Sequence, residues 1–244
     1  MNDFYGPNSD GYHFSSSRHV HISGCHFLTG DDSLAFDSNS MNSAENIAIT
    51  DCTFDTAVNV IRVYTGLDPG ITGEEDYGIV RNISMTNCSV YNAAGVINIT
   101  AQNGLIEGLV FSNLSINMEQ EGTPVFLMTD KGKIRNILIS NVTARANGAC
   151  TIIGTSDDYI EDVTFANIRY DLYPRKKMFG LDIPDPIPSY AQHHFAPYNI
   201  YIRYAKRIKL SNISMKWFDT GLTGSWSAIK CMSSEDIDIE GFNG

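Results

Sequence analysis

Positive charge is scarce in this sequence of 244 residues. Lys and Arg total 17 against 28 Asp and Glu, which gives a formal net charge of −11. The only local basic clusters, at 175–177 and 206–209, are short. Nucleic acids and anionic membrane surfaces attract basic proteins, so the charge balance argues against either as a partner.

Long apolar runs and paired cysteine motifs are also missing. No stretch approaches the roughly 18–20 apolar residues that a membrane-spanning helix needs. The first residues carry neither a basic region nor an apolar core, so we expect no signal peptide at Met1 and an intracellular, mature or partial chain. Five widely spaced cysteines predict neither a disulfide framework nor a CxxC metal site. We therefore expect no metal and no cofactor.

A short pattern does recur along the chain: alternating apolar residues on both sides of a polar turn. The residue after the turn returns at spacings of 27, 36, 26, 28, 26 and 45, at Cys25, Cys52, Cys88, Leu114, Val142, Ile168 and Ile213. A base period with occasional insertions is typical of a solenoid whose loops vary in length. Alternation at period two makes the repeated units strands.

Equivalent strands of one stacked chain run in parallel. The sequence therefore predicts an all-β fold, a right-handed parallel β-helix of about seven to eight coils forming a single domain over residues 1–244. The cysteines become an inward ladder, and recurrent turn asparagines tolerate the left-handed backbone of a corner. Longer interruptions at 67–77 and 173–204 are predicted to be loop insertions. The second contains His193 and His194, a pair more typical of an ordinary loop than of a metal site.

Three aspartates stand out once the repeat is recognised. Asp10 precedes Asp32 by 22 residues, one coil, so stacking brings Asp10 beside Asp31 and Asp32. Like charges at short range raise the pKa of at least one member. An inverting glycosidase needs such a set, a protonated carboxyl and an ionised one about 6.5–9.5 Å apart. The alternative is that Asp31 and Asp32 only stabilise a turn, which is the role that we expect for Asp157 and Asp158.

The same residues resemble two motifs of the polygalacturonase-like glycoside hydrolases (family 28, within the pectin-lyase-like β-helices). The segment 6–14 resembles the N-T-D-G motif, and 30–36 resembles G-D-D-x-I/L-A-I. The resemblance implies a general acid at Asp31, with Asp10 and Asp32 positioning and activating water. It also implies a polysaccharide or oligosaccharide substrate of the pectin kind and a secreted or periplasmic location.

The resemblance also locates two departures. The histidine of the family's G-H-G motif falls at Asn59, and the cations of its R-I-K motif fall at Asn98 and Thr100, so a neutral or differently charged sugar is expected. Arg62 is the candidate replacement charge. Alternation and these motifs together predict a substrate-binding face made of Asn8, His13, Asp37, Asn59, Arg62, Tyr64, Asn98 and Thr100.

Such enzymes carry coils before the N-T-D strand. We therefore expect an upstream segment, or a second subunit in a homo-oligomer, to cover the first coil.

Two other functions remain open beside the glycoside hydrolase. A lyase or epimerase on the same fold would use Arg62 and Tyr64 and would commonly need Ca²⁺. A non-catalytic carbohydrate-binding or structural β-helix would retain the three aspartates without using them in catalysis.

Overall fold

The computed structural model of the chain describes residues 8–38, 43–66, 77–119, 122–148, 150–173, 198–218 and 227–244. The regular elements within these ranges are all β-strands. In the same ranges no helix is long and apolar enough to span a membrane. The strands are β1 (Tyr12–Ser15), β2 (Arg18–Ser23), β3 (His26–Thr29), β4 (Leu34–Ser38), β5 (Ser43–Thr50), β6 (Thr53–Thr56), β7 (Asn59–Thr65), β8 (Gly78–Asn92), β9 (Gly95–Ala101), β10 (Gly104–Asn117), β11 (Thr123–Thr129), β12 (Lys133–Ala146), β13 (Cys150–Ile153), β14 (Ile160–Leu172), β15 (Tyr198–Arg203), β16 (Ala205–Trp217), β17 (Ser227–Met232) and β18 (Glu235–Glu240).

The strands stack into two parallel sheets. An eight-stranded sheet has the order β1-β4-β7-β9-β11-β13-β15-β17, and a ten-stranded sheet follows the order β2-β5-β8-β10-β12-β14-β16-β18, with β3 and β6 beside its first strands. Each turn of the chain contributes one strand to the eight-stranded sheet, so the described residues form eight coils. The predicted parallel β-helix of seven to eight coils is confirmed.

The core lies between the sheets and is built from rows of equivalent apolar residues. In one row, Leu34, Ile61, Ile97, Val125 and Cys150 pair in register from coil to coil. Each of these side chains is at most 2% exposed. Burying an aliphatic side chain of this size stabilises a fold by roughly 1.5–3 kcal/mol. The apolar residues at every second position of the sequence are thus those whose side chains face the core.

Left-handed corners set the cross-section of each coil. Asn87, Asn113, Asn141, Asn167 and Asn212 all have φ between 54° and 56°. The side-chain amides of the last four each donate to the side-chain oxygen of the asparagine one coil before, at 2.9–3.1 Å. The prediction for these turn residues is confirmed. A second left-handed position lies five residues earlier in every coil, and it is occupied by His19, Asn46, Asn82, Gly108, Asn136, Asp162, Arg207 and Asp236.

The cysteine ladder is present, and its thiols are structural. Cys52 and Cys88 are 1% exposed, whereas Cys25, near the end of the stack, is only partly buried. Each thiol lies close to a backbone carbonyl oxygen two residues earlier. Burial raises the pKa of Cys88 to about 11, so this thiol stays protonated and unreactive at neutral pH.

The predicted insertions fall mostly outside the described residues, including 67–76 and 174–197 with His193 and His194. Residues 198–203, which we assigned to the second insertion, form β15 in the solenoid. The stack resumes there because Ile200 and Ile202 alternate into the core. That insertion therefore ends before the predicted boundary at 204.

Candidate active site

The first two coils bring the three aspartates together. Strand β1 pairs with β4 so that Tyr12 lies opposite Leu34, and the Gly11 amide donates to the Asp32 carbonyl at 2.9 Å. Asp10 therefore lies beside Asp32 on the neighbouring coil. One carboxylate oxygen from each of Asp10, Asp31 and Asp32 lies within 4.8 Å of the others. We call these three residues the acid cluster.

Asp31 is held through both its carboxylate and its backbone. Its Oδ1 accepts from the Asp32 amide at 2.9 Å, and its Oδ2 accepts from the Asn8 amide at 3.0 Å. Its carbonyl oxygen accepts from the hydroxyls of Thr29 and Thr56. The side chain is half-buried. The turn between β3 and β4 thus fixes Asp31 while leaving it partly open to solvent.

Asp32 is the most enclosed acid of the cluster, at 4% exposure. Its Oδ1 accepts from Asn59 twice, from the side-chain amide at 2.7 Å and from the backbone amide at 3.2 Å. Its Oδ2 pairs with Arg62 Nε at 2.8 Å. Burial raises the pKa of Asp32 to about 6, while Asn59 and Arg62 act in the opposite direction and the other two acids add to the rise. Desolvation therefore outweighs the donors, and Asp32 titrates near pH 6.

A chain of alternating acids and bases links Asp32 back to Asp10. Arg62 also contacts Asp37, from Nη2 to Oδ2 at 2.8 Å. The same Asp37 oxygen lies 2.8 Å from His13 Nε2, and His13 Nδ1 lies 3.1 Å from Asp10 Oδ2. Ala35, whose backbone lies between His13 and Arg62 in the sheet, has only a methyl group and leaves room for both side chains.

The next two coils contribute a row of uncharged polar side chains that are hydrogen-bonded to one another and end at Asp32. Asn59 pairs opposite Gly95 in the sheet. A Cβ at position 95 would clash with the side-chain oxygen of Asn59, so the glycine leaves room for this side chain. The Asn98 amide donates to that oxygen at 3.4 Å, and the Thr100 hydroxyl donates to Asn98 Oδ1 at 3.4 Å. Asn98 and Thr100 are at most 9% exposed. They support Asn59 and lie away from open solvent.

Tyr64 completes the predicted face. It is half-buried, its ring centroid lies 5.7 Å from Arg62 Cζ, and its hydroxyl donates to Gln102 at 2.5 Å. Gln102, Thr29 and Thr56 were not predicted. They contact the site from turns or from strand ends, where side-chain alternation carries no information. Thr29 and Thr56 lie opposite each other in neighbouring coils. The period of the repeat is the one sequence signal that could have placed these two threonines together near the site.

The structure thus places every predicted site residue within one region, and it corrects two expectations. Asn98 and Thr100 were expected on the substrate-binding face, but both are buried. Arg62 was expected to offer a free positive charge, but it is already paired with Asp32 and Asp37. The carboxylate oxygens of the acid cluster are the ligands that hard cations such as Ca²⁺ prefer. Because Asp10 and Asp32 are engaged by His13 and Arg62, we assign no metal to it. Asp157 and Asp158, in contrast, lie in a turn closed by Thr155, as expected.

Carboxyls this close cannot all ionise without cost, so the cluster retains a proton into mildly acidic solution. A protonated carboxyl donates to a leaving oxygen, and an ionised one accepts a proton from water. The acid cluster therefore has the groups that general acid and base chemistry needs.

Sequence comparison finds polygalacturonases among the proteins similar to this chain. Endopolygalacturonase I of Aspergillus niger is 29% identical over 115 residues, covering 46% of this chain and 28% of its own length. A polygalacturonase of Penicillium digitatum is 25% identical over 160 residues, covering 60% of this chain and 40% of its own. The chain thus spans well under half the length of these curated relatives.

Among solved structures, the family 28 exopolygalacturonase of Yersinia enterocolitica matches with a TM-score of 0.69 and 14% identity. The match covers 94% of this chain and 38% of that one, and it supports the parallel β-helix. The family model "Glycosyl hydrolases family 28" matches residues 2–178, which hold every site residue described above. The chain belongs to glycosyl hydrolase family 28.

Proposed function

We propose that this chain hydrolyses O-glycosidic bonds in a polysaccharide or oligosaccharide, a pectin-like or related glycan, and inverts the anomeric carbon. The observation that carries the proposal is the convergence of Asp10, Asp31 and Asp32 from two coils to within 4.8 Å. Family membership and the polygalacturonase names of the relatives support the substrate class.

In the proposed reaction, Asp31 is the general acid. Like Asp10 it is half-buried, so a glycosidic oxygen can reach it, and it donates a proton to that oxygen as the bond to the anomeric carbon breaks. Water attacks the same carbon from the opposite face and gives its proton to Asp32, while Asp10 positions the water. A pKa of about 6 makes Asp32 a stronger base than an ordinary carboxylate. The products are one glycan with a new reducing end and a second glycan whose former glycosidic oxygen is now a hydroxyl group.

Carboxyl spacing favours a second candidate course, in which configuration is retained. Inverting enzymes separate their carboxyls by about 6.5–9.5 Å and retaining ones by about 5–5.5 Å, and the acid cluster lies at the shorter end. Retention needs a carboxylate that is free to attack carbon. Both oxygens of Asp31 and both of Asp32 already have donors, and this supports attack by water instead.

The proposed lyase alternative is less well supported. Its candidate base, Arg62, contacts two carboxylates. A guanidinium in a protein stays charged, and a charged guanidinium cannot abstract a proton.

Reducing-end release from a panel of pectic and neutral glycans tests the proposal. We expect turnover of at least one glycan by the wild type and a loss of at least about a hundredfold in Asp31→Asn and in Asp32→Asn. Asp51→Asn is the matched control. Asp51 is exposed at a left-handed corner where the following coils carry asparagine. Binding of a glycan with no turnover of any would select the non-catalytic module instead.

A further inference from the structure

The charge around the acid cluster is strongly one-sided. Asp10, Asp31, Asp32 and Asp37 contribute carboxylates to one continuous set of contacts. Among the described residues, Arg62 is the one arginine or lysine that pairs with any of them. The site therefore carries an excess of negative charge when its acids are ionised. A cleft lined by one sign of charge repels a ligand of the same sign.

The positive charge of Arg62 is already shared by two carboxylates. Arg62 Nε lies 2.8 Å from Asp32, and Arg62 Nη2 lies 2.8 Å from Asp37. A substrate carboxylate would have to share the guanidinium with Asp32 and Asp37, whose two carboxylates already outnumber its single positive charge.

The neighbouring positions of the same face supply no charge either. Asn98 lies opposite Arg62 in the next coil, and Thr100 lies opposite Tyr64. Both are buried and hydrogen-bonded to each other, and Asn98 also bonds to Asn59. What the face does offer is a surplus of acceptors, which are complementary to hydroxyl donors.

We infer that the sugar ring bound against the acid cluster carries no carboxylate, and that it is recognised through its hydroxyl groups. The inference names the substrate class of the proposed hydrolase and therefore rests on that proposed function. A uronate ring at this position would meet four aspartate side chains, and the one arginine among the described residues that pairs with them is already shared by two.

Binding of two matched probes tests the inference. The probes are a galacturonate oligomer and the same oligomer with every carboxyl methyl-esterified, and calorimetry with the full chain measures their dissociation constants. We expect the ester to bind at least about tenfold more tightly at low salt, because it lacks the repelled charge. Rising ionic strength should narrow the difference by improving the binding of the free acid alone.

Asp37→Asn sharpens the test. It removes one negative charge and one of the two partners of Arg62, so we expect the preference for the ester to shrink by about tenfold. Asp51→Asn makes the same charge change at a turn of the other sheet and should leave the preference unchanged.

Equal or tighter binding of the free acid by the wild type would overturn the inference, whether or not the chain hydrolyses it. Binding of neither the ester nor a neutral glycan would overturn it too. A clear preference for the ester without hydrolysis of any glycan would sustain the inference and refute the proposed function.

Discussion

Asn59 lies one coil beyond Asp32 at the equivalent position, and its side-chain amide donates to Asp32 Oδ1 at 2.7 Å. An uncharged donor therefore meets one oxygen of this buried carboxyl, and the cation Arg62 meets the other. Each favours the ionised form, and desolvation opposes both. The balance sets the proton affinity of the acid that we propose as the base.

Removing the uncharged donor should shift the pH profile of hydrolysis. Asn59 lowers the pKa of Asp32, so Asn59→Ala raises it. Because Asp32 acts ionised, we expect the acidic limb of kcat/KM to move to higher pH. A hydrogen bond to a charged group is worth about 1.5–3 kcal/mol, or about one to two pH units. Asn98→Ala removes a donor to Asn59 and an acceptor for Thr100, and neither contact involves Asp32, so it should move the limb less. An unmoved limb in Asn59→Ala would refute the assignment.

The raised pKa of Asp32 also predicts how stability depends on pH. The folded state binds this proton more tightly than the unfolded chain, from a pKa of 3.8 to about 6. The associated stabilisation is present below pH 4 and is lost as pH rises through 6. In Asp32→Asn this loss disappears. The free energy of unfolding of the variant, minus that of the wild type, should therefore grow by up to about 3 kcal/mol between pH 4 and pH 7. Urea unfolding across that range measures it, and a flat difference would contradict the pKa.

Thr56 should act on catalysis through the backbone of Asp31. Its hydroxyl donates to the Asp31 carbonyl from the adjacent coil. Thr56→Val keeps the shape and removes the donor, so we expect kcat to fall about tenfold with little change in KM, because small misplacements of reacting groups are costly. Thr56→Ser keeps the hydroxyl and should restore kcat. Equal loss in both variants would indicate packing as the cause.

The asparagine corners should be sensitive to backbone conformation. Asn141 has a φ of 55°, donates to Asn113 and accepts from Asn167. Asn141→Ala loses both hydrogen bonds and strains the left-handed corner, at a cost of about 2–3 kcal/mol in the free energy of unfolding. Asn141→Gly loses the bonds without the strain, so it should cost about 1 kcal/mol less. If the two variants were equally stable, the corner would not be under this constraint.

The fold could be predicted because its signal repeats. Alternating apolar residues and turn asparagines such as Asn113 and Asn141 recur coil after coil, so each copy supports the register of the others. The same register predicted the outward row that contains Arg62 and Asn98. Sequence reasoning thus predicted which residues share a side of the sheet, and their role in binding a substrate stays a prediction.

The contacts within the face could not be predicted in the same way. Asp32 and Leu34 have the same parity, yet the first lies in the acid cluster and the second in the core, because the chain turns between them. The pairing of Arg62 with Asp37 depends on side-chain conformation, which alternation does not encode. The role of Thr56 depends on a hydroxyl reaching across to the next coil. These features are properties of the stacked structure and not of any one repeat.

Proton NMR of the first products tests the central claim most directly. A hydrolysed member of the glycan panel is followed from the start of the reaction, before the new reducing end mutarotates. We predict that the wild type and Asp51→Asn release the anomer opposite to that of the cleaved bond, and that Asp31→Asn and Asp32→Asn release it at least about a hundredfold more slowly. Release of the anomer with retained configuration, or unimpaired release by either acid variant, would contradict hydrolysis by attack of water at the acid cluster.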